Sequence, residues 1–188
     1  MVMLMNNGIR IAYPRTKYLK LNLTCTEIVR QYINEFMVYA KEPVQENFTY
    51  TLDISHDEYS YKDYLSIVFY ISMYTGGAHP NNQIVTVSYD KQSDKIITIN
   101  DLMKENSNLL SILSEESRKI LGTNPNIVDH SMLLEGTKPT AENFKLFAFT
   151  PTGLMIFFPQ YQVAPYSSGS FKVVVSYPAL GKRGYIDE

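Results

Sequence analysis

The amino-acid sequence predicts an α+β fold in which two main helices pack on one face of a mainly antiparallel sheet. Three observations support this fold class. Apolar residues recur at helical spacing in two separate segments, whereas most other apolar residues alternate with polar ones at the period of a half-exposed strand. The third observation is an aromatic content of 13%, with 15 Tyr, 9 Phe and no Trp, since tyrosine and phenylalanine are enriched in strands.

The chain has 188 residues, which is long enough to bury one hydrophobic core. No internal repeat, low-complexity tract or linker divides it. We therefore predict a single α+β domain over residues 1–188, with sub-lobes at 9–100 and 101–188 that share one sheet.

The first strand and the clearest helix are predicted near the start of the chain. Residues 9–13 alternate between apolar and polar, and Pro14 stops the run, which is typical of a short strand. Thr24 and Glu27 have the spacing of a capping box, and the apolar residues within 28–40 recur at helical intervals. These signals predict a helix that begins near Thr24.

Three further strands are predicted in the first half. Alternation predicts a half-exposed strand over residues 47–54, followed by a polar turn at 56–58. Residues 64–74 form the densest β-forming run, and 84–89 are its natural antiparallel partner. The turn between these two strands is the segment 75–80, which reads Thr-Gly-Gly-Ala-His-Pro.

A short strand and two helices are predicted to follow. Residues 96–99 would pair with the preceding strand, and Asn100 or Asp101 can cap a short helix. The apolar residues within 109–121 continue a helical period, and Gly122 is expected to end that helix in the left-handed conformation.

The last third of the chain is predicted to be mostly β. Residues 123–143 are rich in Pro, Asn, Thr and Gly and indicate a surface connection, with at most a helical turn near its end. Strands are predicted at 144–149, 153–158 and 170–177.

Composition excludes several function classes. The formal net charge is −2 and the 17 Lys and Arg are scattered, so the sequence carries no electrostatic footprint for nucleic acid. Cys25 is the only cysteine, which excludes an intrachain disulfide and a cysteine-based metal site. Residues 1–8 lack a basic segment and a long apolar run. We expect either a cytoplasmic protein or one whose export segment lies upstream.

The Gly76-Gly77 turn is the most distinctive candidate for chemistry, because His79 follows it. His79 can be interpreted as a metal ligand, as a base or as a strut that satisfies loop carbonyls. The chain has 3 histidines and none has the spacing of a metal-ligand motif, which favours the strut. A strand follows the two glycines, whereas a phosphate-binding loop leads into a helix. No metal and no cofactor are predicted.

Two proline-tyrosine segments are candidates for partner contacts. Pro159 is followed by Tyr161, and Pro165 by Tyr166, in the segment after the strand at 153–158. A proline fixes the backbone, and the ring after it offers a rigid amphipathic contact surface. The alternative is that both tyrosines fold back onto the core.

Four motifs occur in an order that indicates a family: Ile11-Ala12-Tyr13-Pro14, Tyr74-Thr75-Gly76-Gly77-Ala78-His79-Pro80-Asn81, Ile99-Asn100-Asp101-Leu102-Met103 and the segment 153–166. They resemble the paired domains of RsiV-type anti-sigma factors and of the N-terminal half of PdaC-type peptidoglycan deacetylases. The resemblance runs from Ile9 to Tyr177. Asp94 stands where the family often has Gly, and aspartate tolerates the left-handed conformation better than most residues.

The resemblance implies an extracytoplasmic domain that meets the cell wall or proteins that act on it. In the best understood relatives such a domain binds lysozyme, and a Pro-x-Tyr loop resembles part of the binding surface. By this resemblance, Pro159 and Tyr161 would contact a lysozyme-like protein or a peptidoglycan fragment. Pro165, Tyr166 and Thr75 would lie on the same rim of loops. Any membrane attachment would come from an anchor outside this chain.

The sequence therefore predicts a non-enzymatic binding domain of the cell envelope. The catalytic unit of the PdaC-type deacetylases is a separate domain, and the resemblance does not include it. One alternative is a peptidoglycan-modifying enzyme, deacetylase-like, that uses His79 and nearby carboxylates. Another is a structural module that positions a neighbouring domain.

Overall fold

The computed structural model describes residues 2–6, 8–40 and 49–181. They form two sheets that stack face to face. The large sheet contains β1 (Val2–Asn6), β2 (Ile9–Tyr13), β3 (Thr51–Tyr61), β4 (Tyr64–Tyr74), β5 (Asn81–Asp90) and β6 (Lys95–Ile97), in that order. The small sheet contains β7 (Phe147–Thr150), β8 (Gly153–Phe158) and β9 (Phe171–Ser176). Only the β2–β3 pair among the described strands is parallel.

The described helices cover the outer faces of the two sheets. They are α1 (Leu19–Tyr39), α2 (Ile99–Glu105), α3 (Leu109–Leu121), α4 (His130–Gly136), α5 (Ala141–Phe144) and α6 (Tyr177–Leu180). Helix α1 packs on the large sheet in one apolar cluster, and α2 to α6 pack on the small sheet in another. The α+β class is confirmed. The two main helices, α1 and α3, lie on opposite sides of the molecule and not on one face.

Strand β4 buries residues on both of its faces, because α1 covers one face and the small sheet covers part of the other. On β4, Ile67, Phe69 and Ile71 point toward α1. Val68 lies between them in sequence and packs on the opposite face against the small sheet. This arrangement explains why 64–74 is the densest apolar run in the chain.

The prediction that both sub-lobes share one sheet is wrong, because hydroxyl groups rather than a strand cover the free edge of β7. Phe149 donates its backbone N–H to Ser66 Oγ at 3.0 Å, and Phe147 donates its own to Thr86 Oγ1 at 3.2 Å. Ser88 Oγ donates to the Phe147 carbonyl at 3.3 Å. The edge of the small sheet therefore ends on side chains of the large sheet.

Ser66 and Ser88 also bond each other, with their Oγ atoms 2.8 Å apart, and both residues are buried. Strand β7 contacts β3, β4 and β5, so it runs across the strands of the large sheet and not along them. The N–H and carbonyl of Phe147 and the N–H of Phe149 thereby gain partners in the layer between the two sheets.

Helix α1 begins earlier than the capping-box signal predicted. It starts at Leu19, and Thr24 lies inside it with its hydroxyl bonded to the Lys20 carbonyl at 3.1 Å. The buried stripe of the helix includes Leu21, which lies upstream of the predicted start. Packing of this residue on the large sheet extends the helix, and the predicted cap at Thr24 is wrong.

Strand β3 continues through residues 56–58, which the sequence predicted to be a polar turn. His56 lies within the strand with its side chain mostly buried, and its Nδ1 is 3.1 Å from the Ala12 carbonyl oxygen. The neighbouring strand β2 thus provides a polar partner that no local pattern reveals. Of the strand predicted at 47–54, residues 47 and 48 lie outside the described residues, and β3 begins at Thr51.

The cap of α2 is Thr98, and not Asn100 or Asp101. Asp101 is instead the third residue of a capping box, in which its carboxylate accepts hydrogen bonds from Thr98. Hydrogen bonds from Lys104 and then from Thr98 lower the pKa of Asp101 to about 2. The carboxylate therefore stays ionised and keeps the cap closed well into the acid range.

Three other predictions in the second half need correction. Gly122 follows α3 with φ −63°, so the expected left-handed end is absent at that residue. Helix α4 lies within the predicted surface connection, where Asp129 caps it through the backbone N–H groups of Ser131 and Met132. Strand β7 begins at Phe147, because Phe144 ends the short helix α5. The strand predicted at 153–158 is confirmed.

The tolerance expected of Asp94 for the left-handed conformation is confirmed, since its φ is 53°. Its carboxylate accepts a hydrogen bond from the buried Tyr89 hydroxyl. This bond, followed by burial, raises the pKa of Tyr89 to about 12. Asp94 therefore contributes a contact that a glycine at this position would lack.

We predict that Ser66→Ala lowers the free energy of unfolding by about 1–3 kcal/mol, because the Phe149 N–H and the Ser88 hydroxyl both lose a buried partner. Chemical denaturation measures the change. Ser72→Ala is the matched control: it lies on the same face of β4, and its hydroxyl bonds none of the described residues. The control should change the unfolding free energy by less than about 0.5 kcal/mol. Equal losses in the two variants would contradict the assigned role of Ser66.

We predict that Cys25 resists alkylation in the folded protein. Its side chain is fully buried between α1 and the large sheet, and burial, with a smaller contribution from Glu58, raises the pKa of the thiol to about 12. Since the thiolate is the reactive form, iodoacetamide at pH 8 should leave the folded chain unmodified and should label it in denaturant. Mass spectrometry reads the outcome, and rapid labelling without denaturant would show that α1 is not packed as described.

Candidate functional site

The turn at 75–80 joins β4 to β5 and stands at one end of the large sheet. Gly76 and Gly77 have φ of 94° and 110°, a region that side chains rarely adopt. Space is not the reason for these glycines, since a Cβ on Gly77 would meet nothing within 4 Å. The Tyr74 hydroxyl donates to the Gly77 carbonyl at 3.1 Å and braces the turn.

The loop at 159–170, which joins β8 to β9, is anchored at its centre. Val163 and Ala164 are buried, and Gln162 Nε2 donates to the carbonyls of Gly136 at 2.9 Å and Asn143 at 3.0 Å. A Cβ on Gly136 would lie 2.0 Å from the Gln162 carbonyl oxygen, so only glycine permits α4 to approach this closely. The two ends of the loop are left to project on either side of the anchor.

Tyr166 connects this loop to the turn at 75–80. Its hydroxyl donates to the Pro80 carbonyl at 3.0 Å and accepts from Asn82 Nδ2 at 3.3 Å. Its ring stacks on His79, with ring centroids 3.8 Å apart and an interplanar angle of 22°. We call the side chains of His79, Tyr161 and Tyr166 the aromatic rim.

Tyr161 is the exposed member of the aromatic rim. Its ring centroid lies 5.5 Å from that of Tyr166, and 61% of the residue is exposed. Its φ is 69°, a left-handed conformation that costs a residue other than glycine about 1–2 kcal/mol. Strain of this kind persists where the surroundings fix the backbone, and it is concentrated at functional sites. The anchored loop at Gln162 supplies that constraint.

The structure brings most of the sequence-predicted site residues together. Pro159 and Pro165 are half-buried, and their carbonyls accept hydrogen bonds from the backbone N–H groups of Gln162 and Ser168. They shape the loop and leave the projecting contacts to the tyrosines. Thr75 lies at the start of the turn, and its side chain has no hydrogen bond or ring contact with the described residues.

His79 occupies the position that the strut interpretation expects. Its Nδ1 lies 2.9 Å from the Pro80 carbonyl oxygen, and the stack on Tyr166 is an added contact that the sequence did not indicate. No carboxylate and no hydroxyl bonds this imidazole within 8–40 and 49–181. In the same part of the chain, no group of three or more His, Cys, Asp or Glu side chains is close enough to hold a metal ion.

Sequence reasoning missed Asn82 and Gln162, which fix the rim through long-range hydrogen bonds. Their only local signal is their position beside the turn and beside Tyr161.

Among the described helices, none has the length and apolar content that crossing a membrane requires.

Comparisons with known proteins identify relatives. The family model described as "Protein of unknown function (DUF3298)" matches residues 100–178. The chain is 30% identical over 186 residues to the peptidoglycan-N-acetylmuramic acid deacetylase PdaC of Bacillus subtilis (strain 168). That alignment covers 95% of this chain and 40% of the relative, so the chain spans well under half of the relative's length.

Two solved structures of DUF3298 family proteins share the fold. One, from Pseudomonas aeruginosa PAO1, has a TM-score of 0.57 and 16% identity, and the match covers 71% of this chain and 62% of that one. The other, from Bacteroides fragilis NCTC 9343, has a TM-score of 0.55 and 19% identity, and the match covers 86% of this chain and 68% of that one.

The resemblance to PdaC-type proteins that the four motifs indicated is confirmed. Residues 100–178 match the DUF3298 family model, and nearly the whole chain is similar to the N-terminal region of PdaC.

Proposed function

We propose that this chain is a non-catalytic binding domain of a cell-envelope protein, that it works outside the cytoplasmic membrane, and that its aromatic rim contacts a muramidase-type protein such as lysozyme. One observation carries the proposal. Tyr161 is 61% exposed, yet its backbone is held in a strained conformation and its ring rests on Tyr166.

A tyrosine fixed in this way is suited to protein recognition. Binding immobilises side chains, and the entropy lost is smaller for a ring that is already supported than for a free one. Tyrosine is also enriched among the few residues that supply most of the binding energy at interfaces. His79 and Tyr166 extend the contact surface around it, and their hydrogen bonds to Pro80 keep that surface rigid.

The relatives support the part of the proposal that makes the chain a non-catalytic domain of a cell-wall-related protein. PdaC is a peptidoglycan-N-acetylmuramic acid deacetylase, and this chain is related to its N-terminal region. That relationship supports a non-catalytic domain of a cell-wall-related protein. The assignment of lysozyme as the partner goes further, and it depends on the rim and on the family resemblance of the Pro159-Gln160-Tyr161 segment.

We predict that Tyr161→Ala weakens binding to lysozyme about 30-fold, which corresponds to about 2 kcal/mol for the loss of a central aromatic contact. Isothermal titration calorimetry of the purified chain with lysozyme measures the affinity. Because the Tyr161 hydroxyl bonds none of the described residues, the variant should unfold at nearly the same temperature as the parent chain.

Tyr39→Ala is the matched control for this experiment. Tyr39 is a tyrosine of similar type that is 47% exposed, and it lies on α1, on the opposite face of the large sheet from the small sheet. It should leave the affinity unchanged. If the parent chain releases no heat with lysozyme, or if both variants lose affinity equally, the proposal is wrong.

The enzymatic alternative places catalysis at His79. The contacts of His79 with Pro80 and Tyr166 do not favour it, because both serve to fix the turn. A peptidoglycan deacetylation assay combined with metal analysis separates this alternative from the binding proposal.

A further inference from the structure

A cavity of about 360 Å³ lies at the edge of the interface between the two sheets, where the large sheet faces the loop at 159–170 next to the aromatic rim. We call it the inter-sheet cavity. Two cross-strand rows of the large sheet form one wall, and these rows are Asp53, Ser72 and Asn82, then Ser55, Tyr70 and Ile84. Pro159 and Gln160, at the end of β8, form part of the opposite wall.

The cavity exists because the small sheet is too short to cover the whole inner face of the large one. The strands β3, β4 and β5 have 10 or 11 residues each, whereas β7, β8 and β9 have 4 to 6. Strand β7 bonds the rows that contain Ser66, Ser88 and Thr86. The rows nearest the turn at 75–80 are left facing the loop that follows β8.

Several polar groups that line the cavity make no bond within the described part of the fold. The hydroxyls of Ser55, Ser72 and Ser170 make no hydrogen bond to any residue within the described ranges. Gln160 Oε1 is buried and also lacks a partner there. Buried side-chain polar atoms are almost always bonded, so the Gln160 oxygen, which has no partner beside the cavity, indicates a bond made to something else.

The wall is neutral and has an apolar part. Among the described residues that line it, Asp53 alone is charged, and it is paired with Arg10. Ile84 and Pro159 supply apolar contact, and the Tyr70 ring is fixed by the bond from its hydroxyl to Asp57 Oδ2 at 3.0 Å. A site of this size with a few convergent polar groups fits a small ligand, for which pockets of roughly 300–1,000 Å³ are usual.

The chemistry of the wall selects among ligand classes. A phosphate or nucleotide requires cations or a helix N-terminus. The described residues that line the cavity include no cationic side chain and no helix N-terminus. An alkyl chain would leave the serine hydroxyls and the Gln160 amide without partners. A sugar ring has hydroxyls along its edge and an apolar face, and an acetamido group adds an amide that complements the carboxamides of Gln160 and Asn82.

We propose that the inter-sheet cavity binds a neutral N-acetylated amino sugar, the sugar class that the peptidoglycan named in PdaC's activity contains. The inference rests on the proposed function only in placing the chain at the cell wall. It does not require the muramidase-type partner, because His79, Tyr161 and Tyr166 do not line the cavity. Gln160 rotates its carboxamide toward the bound sugar, and the serine hydroxyls bond the ring substituents.

The test is a calorimetric titration of the purified chain with the β-1,4-linked tetramer of N-acetylglucosamine. The parent chain should bind it saturably. Gln160→Leu should weaken binding about tenfold, since it removes one hydrogen bond to the sugar and such a bond accounts for about a tenfold difference in affinity. The same substitution removes a buried amide oxygen without a partner, so the unfolding temperature should not fall. A purely structural role of Gln160 would predict the opposite pattern.

Two further comparisons sharpen the test. Ser72→Ala should weaken binding about threefold, as expected for one neutral hydrogen bond. Tyr39→Ala, on the far face of the large sheet, should have no effect. Cellotetraose has the same linkage without acetamido groups, and it should bind at least about tenfold more weakly.

The outcomes separate this proposal from the function proposed above. Absence of tetrasaccharide binding by a chain that binds lysozyme would overturn the cavity assignment alone. Tetrasaccharide binding without lysozyme binding would support the cavity and overturn the role of the rim. Unchanged affinity in Gln160→Leu would show that the sugar binds elsewhere, and equal affinity for cellotetraose would overturn the assignment of the acetamido group.

Discussion

Hydroxyl groups of the large sheet cap the free edge of β7, and the remaining architecture depends on this contact. An edge strand without partners would leave buried N–H and carbonyl groups unsatisfied, at a cost of about 1–3 kcal/mol for each. Ser66, Ser88 and Thr86 satisfy them, which orients β7 across the strands of the large sheet. That crossing places the end of β8, and the loop after it, beside the turn at 75–80.

The rim and the cavity are both consequences of this placement. The loop after β8 is fixed by Gln162 against α4 and by Tyr166 against Pro80, so Tyr161 projects from two anchored points. The large sheet extends beyond the small one, and its uncovered rows supply the polar wall beneath the loop. A protein contact at Tyr161 and a sugar contact at Gln160 would therefore lie side by side, which suits a domain that works where wall glycan and muramidase meet.

Local patterns in the sequence predicted most of the strands and the body of α1, because alternation and helical spacing record which side chains are buried. They did not predict β1 or the first turn of α1. They failed where a distant residue decides the structure. The local sequence around His56 predicts a polar turn, but the Ala12 carbonyl of the neighbouring strand provides its hydrogen-bond partner. The local sequence around Thr24 predicts a helix cap, but Leu21 is buried upstream of it and extends the helix. For the site, proline and tyrosine identified Tyr161 and Tyr166. Gln160 and Ser72 carry no local signal, since their role depends on which rows the small sheet leaves uncovered.

Hydrogen exchange at the backbone N–H of Phe149 reports whether the edge of β7 is capped. This N–H faces away from β8 and donates to Ser66 Oγ in the buried layer between the sheets. We expect it to exchange as slowly as the N–H groups of the central strand β8, because exchange requires the two sheets to separate. Exchange as fast as that of the exposed Thr152 would show that β7 has an open edge and that the hydroxyl groups do not cap it.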